Sequence, residues 1–190
     1  TVTMHSGQQY YNSAIMLSDR GEEVAHYDKM HLVPFGEFLP LRPLLNFIEN
    51  FVPIGDFGRG KERTIFPFGF STLICFEDTV SFVVRNLVKQ DPLFLVNITN
   101  DGWFKDTNAP YLHLQGSVFQ AVANRRAIVR AANTGVSGDI SPCGIVHIFR
   151  DSKGKAVMSQ GFMMSMIQGN SERTFYTRFG DVFAYLCLIL

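Results

Sequence analysis

Phe70-Ser71-Thr72-Leu73-Ile74-Cys75-Phe76-Glu77-Asp78 is the stretch on which the fold turns. Phe70 to Cys75 has the length and apolar character of a buried strand, and Val80 to Val88 carries apolar residues at helical spacing. Cys75 therefore falls where a strand gives way to a helix. Backbone N–H groups point at such a junction, where they lower a thiol pKa and stabilise a developing oxyanion. Glu77 and Asp78 oppose this unless their charge is directed elsewhere. A lone cysteine is otherwise a buried packing residue, and this stretch by itself leaves both readings open.

Outward from it, the chain alternates. Downstream come an apolar run from Leu93 to Ile98 and a helical pattern from His113 to Arg126. Four strand-like segments follow, Ile128–Ala132, Val136–Ile140, Val146–Phe149 and Ala156–Met163, separated by Gly, Pro, Ser and Asp turns. Upstream, Tyr10–Leu17 and Val24–Lys29 read as two strands around the turn Ser18-Asp19-Arg20-Gly21. Leu41–Phe51 reads as a helix that ends before Pro53. Strands and helices alternating first, with a run of strands after, describe an α/β layered domain. Neither a repeat nor a linker interrupts it.

A chain of 190 residues with 46% apolar content can bury one core. Seventeen basic residues balance seventeen acidic ones, and the basic residues are scattered, so no nucleic-acid partner is expected. Cys75, Cys143 and Cys187 lie far apart in no metal-like spacing, which argues against a disulfide-stapled fold. The five histidines form no i, i+4 pair and read as satisfied core or surface groups. Thr1 to His5 holds neither an initiator Met nor a signal segment. Val182 to Leu190 is apolar throughout, shorter than the roughly 20 residues a membrane helix needs. It reads equally as a core element or as the start of a membrane helix.

Tyr27-Asp28-Lys29-Met30-His31-Leu32-Val33-Pro34-Phe35-Gly36-Glu37 bears on Cys75. It sets a lysine at a strand end and then a carboxylate in a Pro/Gly-constrained turn. Such a loop can hold an ammonium and a carboxylate rigidly near one point, as oxyanion stabilisation requires. Leu32, Val33 and Phe35 among the charges are unusual for a solvated surface loop.

YDKMHLVPFGE (27–37), CFE (75–77), NITNDGW (97–103) and RAANTGVS (130–137), in that order, resemble the carbon–nitrogen hydrolase superfamily. The HLVPFGE form and the closing TFYTRFGD before an apolar run resemble its apolipoprotein N-acyltransferase branch. The resemblance implies a nitrilase-type α-β-β-α sandwich over residues 1–178, incomplete at its N-terminus, with residues 179–190 starting a membrane helix. It implies Cys75 as nucleophile, Lys29 as its cationic partner and Glu37 as a supporting carboxylate. Phe76 and Glu77 then follow the nucleophile, and Asn100, Asp101 and Trp103 fall in a loop near the active site. The implied reaction moves a fatty acyl chain from a phospholipid, through a Cys75 thioester, to the N-terminal amine of a lipid-modified cysteine in an apolipoprotein. No metal or organic cofactor is implied. The implied location is the outer, periplasmic face of the bacterial inner membrane.

Three departures stand against the pattern. Phe76 occupies a position that is usually Tyr. Gln120-Ala121-Val122-Ala123-Asn124 lacks the Arg and Glu of the usual helix, which implies a lost ion pair. The general-base Glu of the family lies upstream of where this sequence begins, and no Pro-Glu strand end precedes Tyr10, so the chain reads as truncated at both ends. Two other readings remain: a soluble amidase or nitrilase using water as acceptor, and an inactive remnant of the fold. Gly55–Glu62 only approaches a phosphate-binding loop, because Glu62 stands where Ser or Thr must hold magnesium and Arg63–Phe68 reads as strand. Asn97-Ile98-Thr99 fits a glycosylation acceptor but lies in an apolar strand. Phe162, Met163, Met164 and Met166 read as core or lipid-facing surface.

Overall fold

The computed structural model describes residues 2–6, 9–45, 56–105 and 107–189, which divide into two units, Thr1–Thr64 and Ile65–Leu190. The first holds an antiparallel sheet of β1 (Val2–Ser6), β2 (Gln9–Leu17) and β3 (Glu23–Asp28), in that order. β1 was not expected from the sequence. The β2–β3 turn closes through Ser18 N–H to Glu22 O (2.8 Å) and Gly21 N–H to Ser18 O (3.1 Å). Gly21 has φ 78, a conformation that glycine adopts without strain. Ser13 pairs with Asp28 and Ala14 with Tyr27, and Ser13, Ala14 and Tyr27 are all buried. The helix expected over Leu41–Phe51 begins as α1 (Arg42–Leu45), and residues 46–55 lie outside the described residues.

The second unit carries a five-stranded sheet in sequential order: β4 (Phe70–Ile74), β5 (Phe94–Asn100), β6 (Ile128–Asn133), β7 (Gly138–Ile140) and β8 (Val146–Ile148). β4, β5 and β6 run parallel, joined through α2 (Ser81–Val88) and α3 (Ala109–Asn124), and the last two strands turn back antiparallel. Leu73, Leu95, Ile128 and Ile140 from the strands are fully buried, as are Val84, Leu87, Val88 and Ala121 from the helices. Eight such side chains contribute on the order of 1.5–3 kcal/mol each, except the smaller Ala121. The pairs Ile74–Ile98 and Asn100–Asn133 bring the C-terminal ends of three parallel strands to one edge of the sheet. In open α/β sheets this is the edge where ligands bind.

Several sequence expectations need correction. Ala156–Met163 forms no strand. Met158 adopts φ 56, which breaks an extended run, and its N–H bonds Thr134 O at 2.9 Å instead of a ladder partner. Gly161 lies so close to the Phe149 ring that any Cβ there would force the ring to shift. Arg63–Phe68 is likewise not a strand: it ends in a tight turn, Pro67–Gly69, with Phe68 at φ 70. The strand expected over Val136–Ile140 is only β7, because the Ser137 hydroxyl accepts from Ala132 N–H (3.0 Å) and makes Asn133–Ser137 a turn. α3 starts four residues earlier than expected and stops at Arg125, whose φ of 48 is left-handed. Where the missing Arg and Glu implied a lost ion pair, neutral bonds brace this helix. Gln120 Nε2 donates to Ser81 Oγ (2.8 Å), and Asn124 Oδ1 accepts from Thr177 Oγ1 (3.0 Å).

The chain closes with α4 (Phe175–Phe179) and α5 (Val182–Ile189). Arg85 straps α4 down, donating from Nε to Tyr176 O (2.9 Å) and from Nη2 to Arg178 O (3.0 Å). α5 leaves Phe183, Tyr185, Leu186, Leu188 and Ile189 exposed. Among the described residues, no helix is long and apolar enough to cross a membrane.

Candidate active site

In the first unit the ladder carries one residue past β3, since Lys29 N–H donates to Asn12 O at 2.9 Å. Lys29 is buried, 1% exposed, and its Nζ lies 2.7 Å from Glu37 Oε2. Val33–Phe38 folds back tightly, with Glu37 N–H donating to Val33 O (2.9 Å) and Phe35 at φ 63. That turn aims the Glu37 carboxylate inward, where Oε2 also accepts from Val33 N–H (2.8 Å) and Oε1 from Asn12 Nδ2 (2.8 Å). A charged pair taken out of water persists only with this kind of surrounding hydrogen bonding. Burial first, then the charges of Arg59 and Lys29, lowers the His31 pKa, against the upward pull of Glu37. The sequence placed the ammonium and the carboxylate together, and the structure joins them.

In the second unit Cys75 ends β4 and opens a tight 3-10 turn, Cys75–Thr79. Its φ is 54, left-handed for a residue with a side chain, and it is half-exposed. Three groups hold this turn. Asn97 Nδ2 donates to Cys75 O (2.9 Å), so the glycosylation-like asparagine is a buried brace on the neighbouring strand. Glu77 is fully buried and its Oε2 accepts from Ile74 N–H at 2.9 Å. Asp78 is also fully buried and accepts from Ser117 Oγ (2.5 Å), His113 and Arg130. Both acidic neighbours of the cysteine are thus bound by groups of the fold.

Replacing Glu77 with Ala should leave the buried Ile74 N–H without that acceptor and destabilise the fold by about 1–3 kcal/mol. Urea unfolding measures this, and Glu77→Gln, which keeps a side-chain oxygen, should recover most of the loss. An Ala variant as stable as the parent would mean the bond contributes nothing.

Asn100 and Trp103 lie at the end of β5, on the same edge as Cys75. Asn100 Oδ1 accepts from Gly102 N–H (3.1 Å) and Asn133 Nδ2 (3.3 Å), which shapes the loop. Trp103 is 87% exposed and Phe76 48% exposed, so this edge presents aromatic surface. Cys75, Phe76, Glu77, Asn100, Asp101 and Trp103 are therefore brought together in one unit, and Lys29 with Glu37 in the other. Sequence reading named Asp78 and Asp101 but missed their buried pairing with His113, Ser117 and Arg130 beneath this edge. Among the described residues, no group of three or more His, Cys, Asp and Glu is disposed to hold a metal ion.

A cysteine at a strand end of a mixed α/β fold, with a buried Lys–Glu pair, defines the class, and the chain belongs to the carbon–nitrogen hydrolase family, whose model matches residues 2–159. It is 40% identical over 184 residues to an apolipoprotein N-acyltransferase of Geobacter metallireducens, a match covering 95% of this chain and 34% of that protein. An apolipoprotein N-acyltransferase of Methylococcus capsulatus is 36% identical over 182 residues, covering 92% and 34%. The chain spans about a third of the length of these curated relatives. Among solved structures, a carbon–nitrogen hydrolase from Helicobacter pylori G27 matches with a TM-score of 0.55 and 18% identity, over 75% of this chain and 54% of that one. An amidase from Nesterenkonia sp. matches with a TM-score of 0.52 and 18% identity, over 75% and 51%. These likenesses confirm the mixed α/β nitrilase-type fold with its two sheets.

Proposed function

We propose that this chain carries the acyl-transfer centre of an apolipoprotein N-acyltransferase, with Cys75 as nucleophile and Lys29 as the group that meets the oxyanion. The observation that carries the reading is the 40% identity over 95% of the chain to a relative of that name. The thiolate attacks the ester carbonyl of a phospholipid; the C–S bond forms, the C–O bond breaks, and the lysophospholipid leaves as an alcohol after taking a proton. The amine of a lipid-modified N-terminal cysteine then attacks the thioester. The C–N bond forms, the C–S bond breaks, and the proton lost by nitrogen restores the thiol.

Lys29 stabilises the negative charge on the carbonyl oxygen in both steps, and Glu37 fixes where its ammonium stands. Glu77 and Asp78 are not the base, since both carboxylates are bound within the fold. Phe76 and Trp103 offer apolar contact to the substrates, and α5 enters the membrane that supplies them, on the periplasmic face of the inner membrane. The experiment supplies the protein, as its gene encodes it, with labelled phospholipid and a lipopeptide bearing a diacylglyceryl cysteine. Label should pass to the peptide as an amide. Label released only as free fatty acid would make the protein a hydrolase and overturn the reading.

A further inference from the structure

We infer that His113 is a positioning residue that holds the Asp101–Phe104 turn in register with the Cys75 turn, an inference that rests on Cys75 being the nucleophile. The imidazole lies near the start of α3, almost fully buried, and each ring nitrogen meets a carboxylate from a different segment. Nε2 is 2.8 Å from Asp78 Oδ1, three residues after Cys75, and Nδ1 is 3.0 Å from Asp101 Oδ1, two residues before Trp103. A neutral imidazole has one N–H and cannot donate to both; the imidazolium can.

The charged groups facing the ring come from every neighbouring element: Asp78 from the turn, Asp101 from the β5 loop and Arg130 from β6. Two carboxylates balance one guanidinium and one imidazolium, whereas a neutral ring would leave a buried negative charge. Burial alone would lower the His113 pKa, but the hydrogen bonds to Asp101 and Asp78 and the charge of Asp78 outweigh it and raise it to about 9. For Asp101 burial acts upward, and the bonds from His113 and Thr99 with the nearby cations turn the net shift downward.

The cluster's contacts fall on the two turns. Asp78 takes Ser117 and Arg130 as well as the ring, and Asp101 Oδ1 takes Thr99 Oγ1 at 3.0 Å. By contrast Asp101 Oδ2 and Arg130 Nη2 stand 4.0 Å apart, buried and without a hydrogen-bond partner among the described residues. It is thus the ring, not the guanidinium, that hydrogen-bonds to both turns. Phe76 and Phe104, one from each turn, flank it with ring centroids 6.3 and 6.5 Å away.

A raised histidine pKa contributes stability below its unfolded value, and that contribution is lost as pH rises through the folded value. The clamp should therefore release near pH 9. Trp103 is the only tryptophan of these 190 residues and lies in that turn, so its fluorescence reports on the turn. In the parent protein, Trp103 emission and iodide quenching should change in one transition near pH 9, in step with His113 titration followed by NMR. His113→Gln, which keeps all six tyrosines, should lack that transition. Its kcat should fall on the order of tenfold to a hundredfold with KM little changed, and the alkaline limb of the pH profile should shift. A Trp103 signal that ignores His113 titration overturns the inference, and the parent protein alone can show it if the variant does not fold. Acylation mapped at Cys75 in the parent tests the proposed function separately.

Discussion

Incubated with phospholipid, the Cys75→Ser protein is expected to carry no acyl adduct, and its turnover should fall by roughly four orders of magnitude or more. Serine is nearly isosteric with cysteine, and every group that holds the turn acts on neighbouring atoms: Asn97 on the carbonyl of residue 75, Glu77 on Ile74, His113 on Asp78. The fold should therefore survive and the loss should be chemical. A hydroxyl ionises far less readily than a thiol, and no strengthened base accompanies the change. Mass spectrometry of the gene-encoded protein decides it. Cys143 and Cys187 are both exposed, so adducts must be mapped by peptide. Acyl groups on either of them, or persisting in the variant, would overturn the assignment.

Lys29→Ala should lower turnover roughly 100- to 1,000-fold while lipid binding changes far less, because the ammonium meets charge that develops only in the transition state. The substitution also leaves Glu37 without a buried counter-charge. Glu37 keeps Asn12 Nδ2 and Val33 N–H, so the stability loss should be about 1–3 kcal/mol, short of the full penalty for an orphaned buried charge. Comparing urea midpoints with kcat separates the two effects. A loss in kcat under tenfold would remove Lys29 from the chemistry.

Much of this was legible in the residues. The Lys29–Glu37 pair is eight residues apart across a turn constrained by Pro34 and Gly36, so local geometry carries it. Cys75 at the strand end follows from an apolar run giving way to helical spacing. The charge cluster was not legible, because Asp78 meets His113 across 35 residues and Arg130 across 52, and no periodicity records such pairings. One signal was available. Asp101 follows the end of β5, Asp78 lies in the turn after β4 and Arg130 lies within β6, all in segments that the apolar pattern buries, and buried charges require partners. His113 and Ser117, four apart on α3, share the face that supplies them. The false strand at Ala156–Met163 has the opposite cause: Met158 and Phe162 are apolar yet 61% and 87% exposed, so their composition reflects surface rather than a sheet ladder.

The left-handed backbone at Cys75 reaches beyond this one molecule. A side chain at φ 54 costs about 1–2 kcal/mol that glycine avoids, so Cys75→Gly should melt above Cys75→Ala. Cysteine is thus a burden on the fold at this position, which the proposed reaction would account for. Duplicated genes released from that reaction should drift toward Gly or Asn at residue 75 while Glu77 and Asn97, which hold the turn whatever occupies it, change more slowly. The residue at this position then dates the loss of chemistry in a lineage, separately from any loss of the fold.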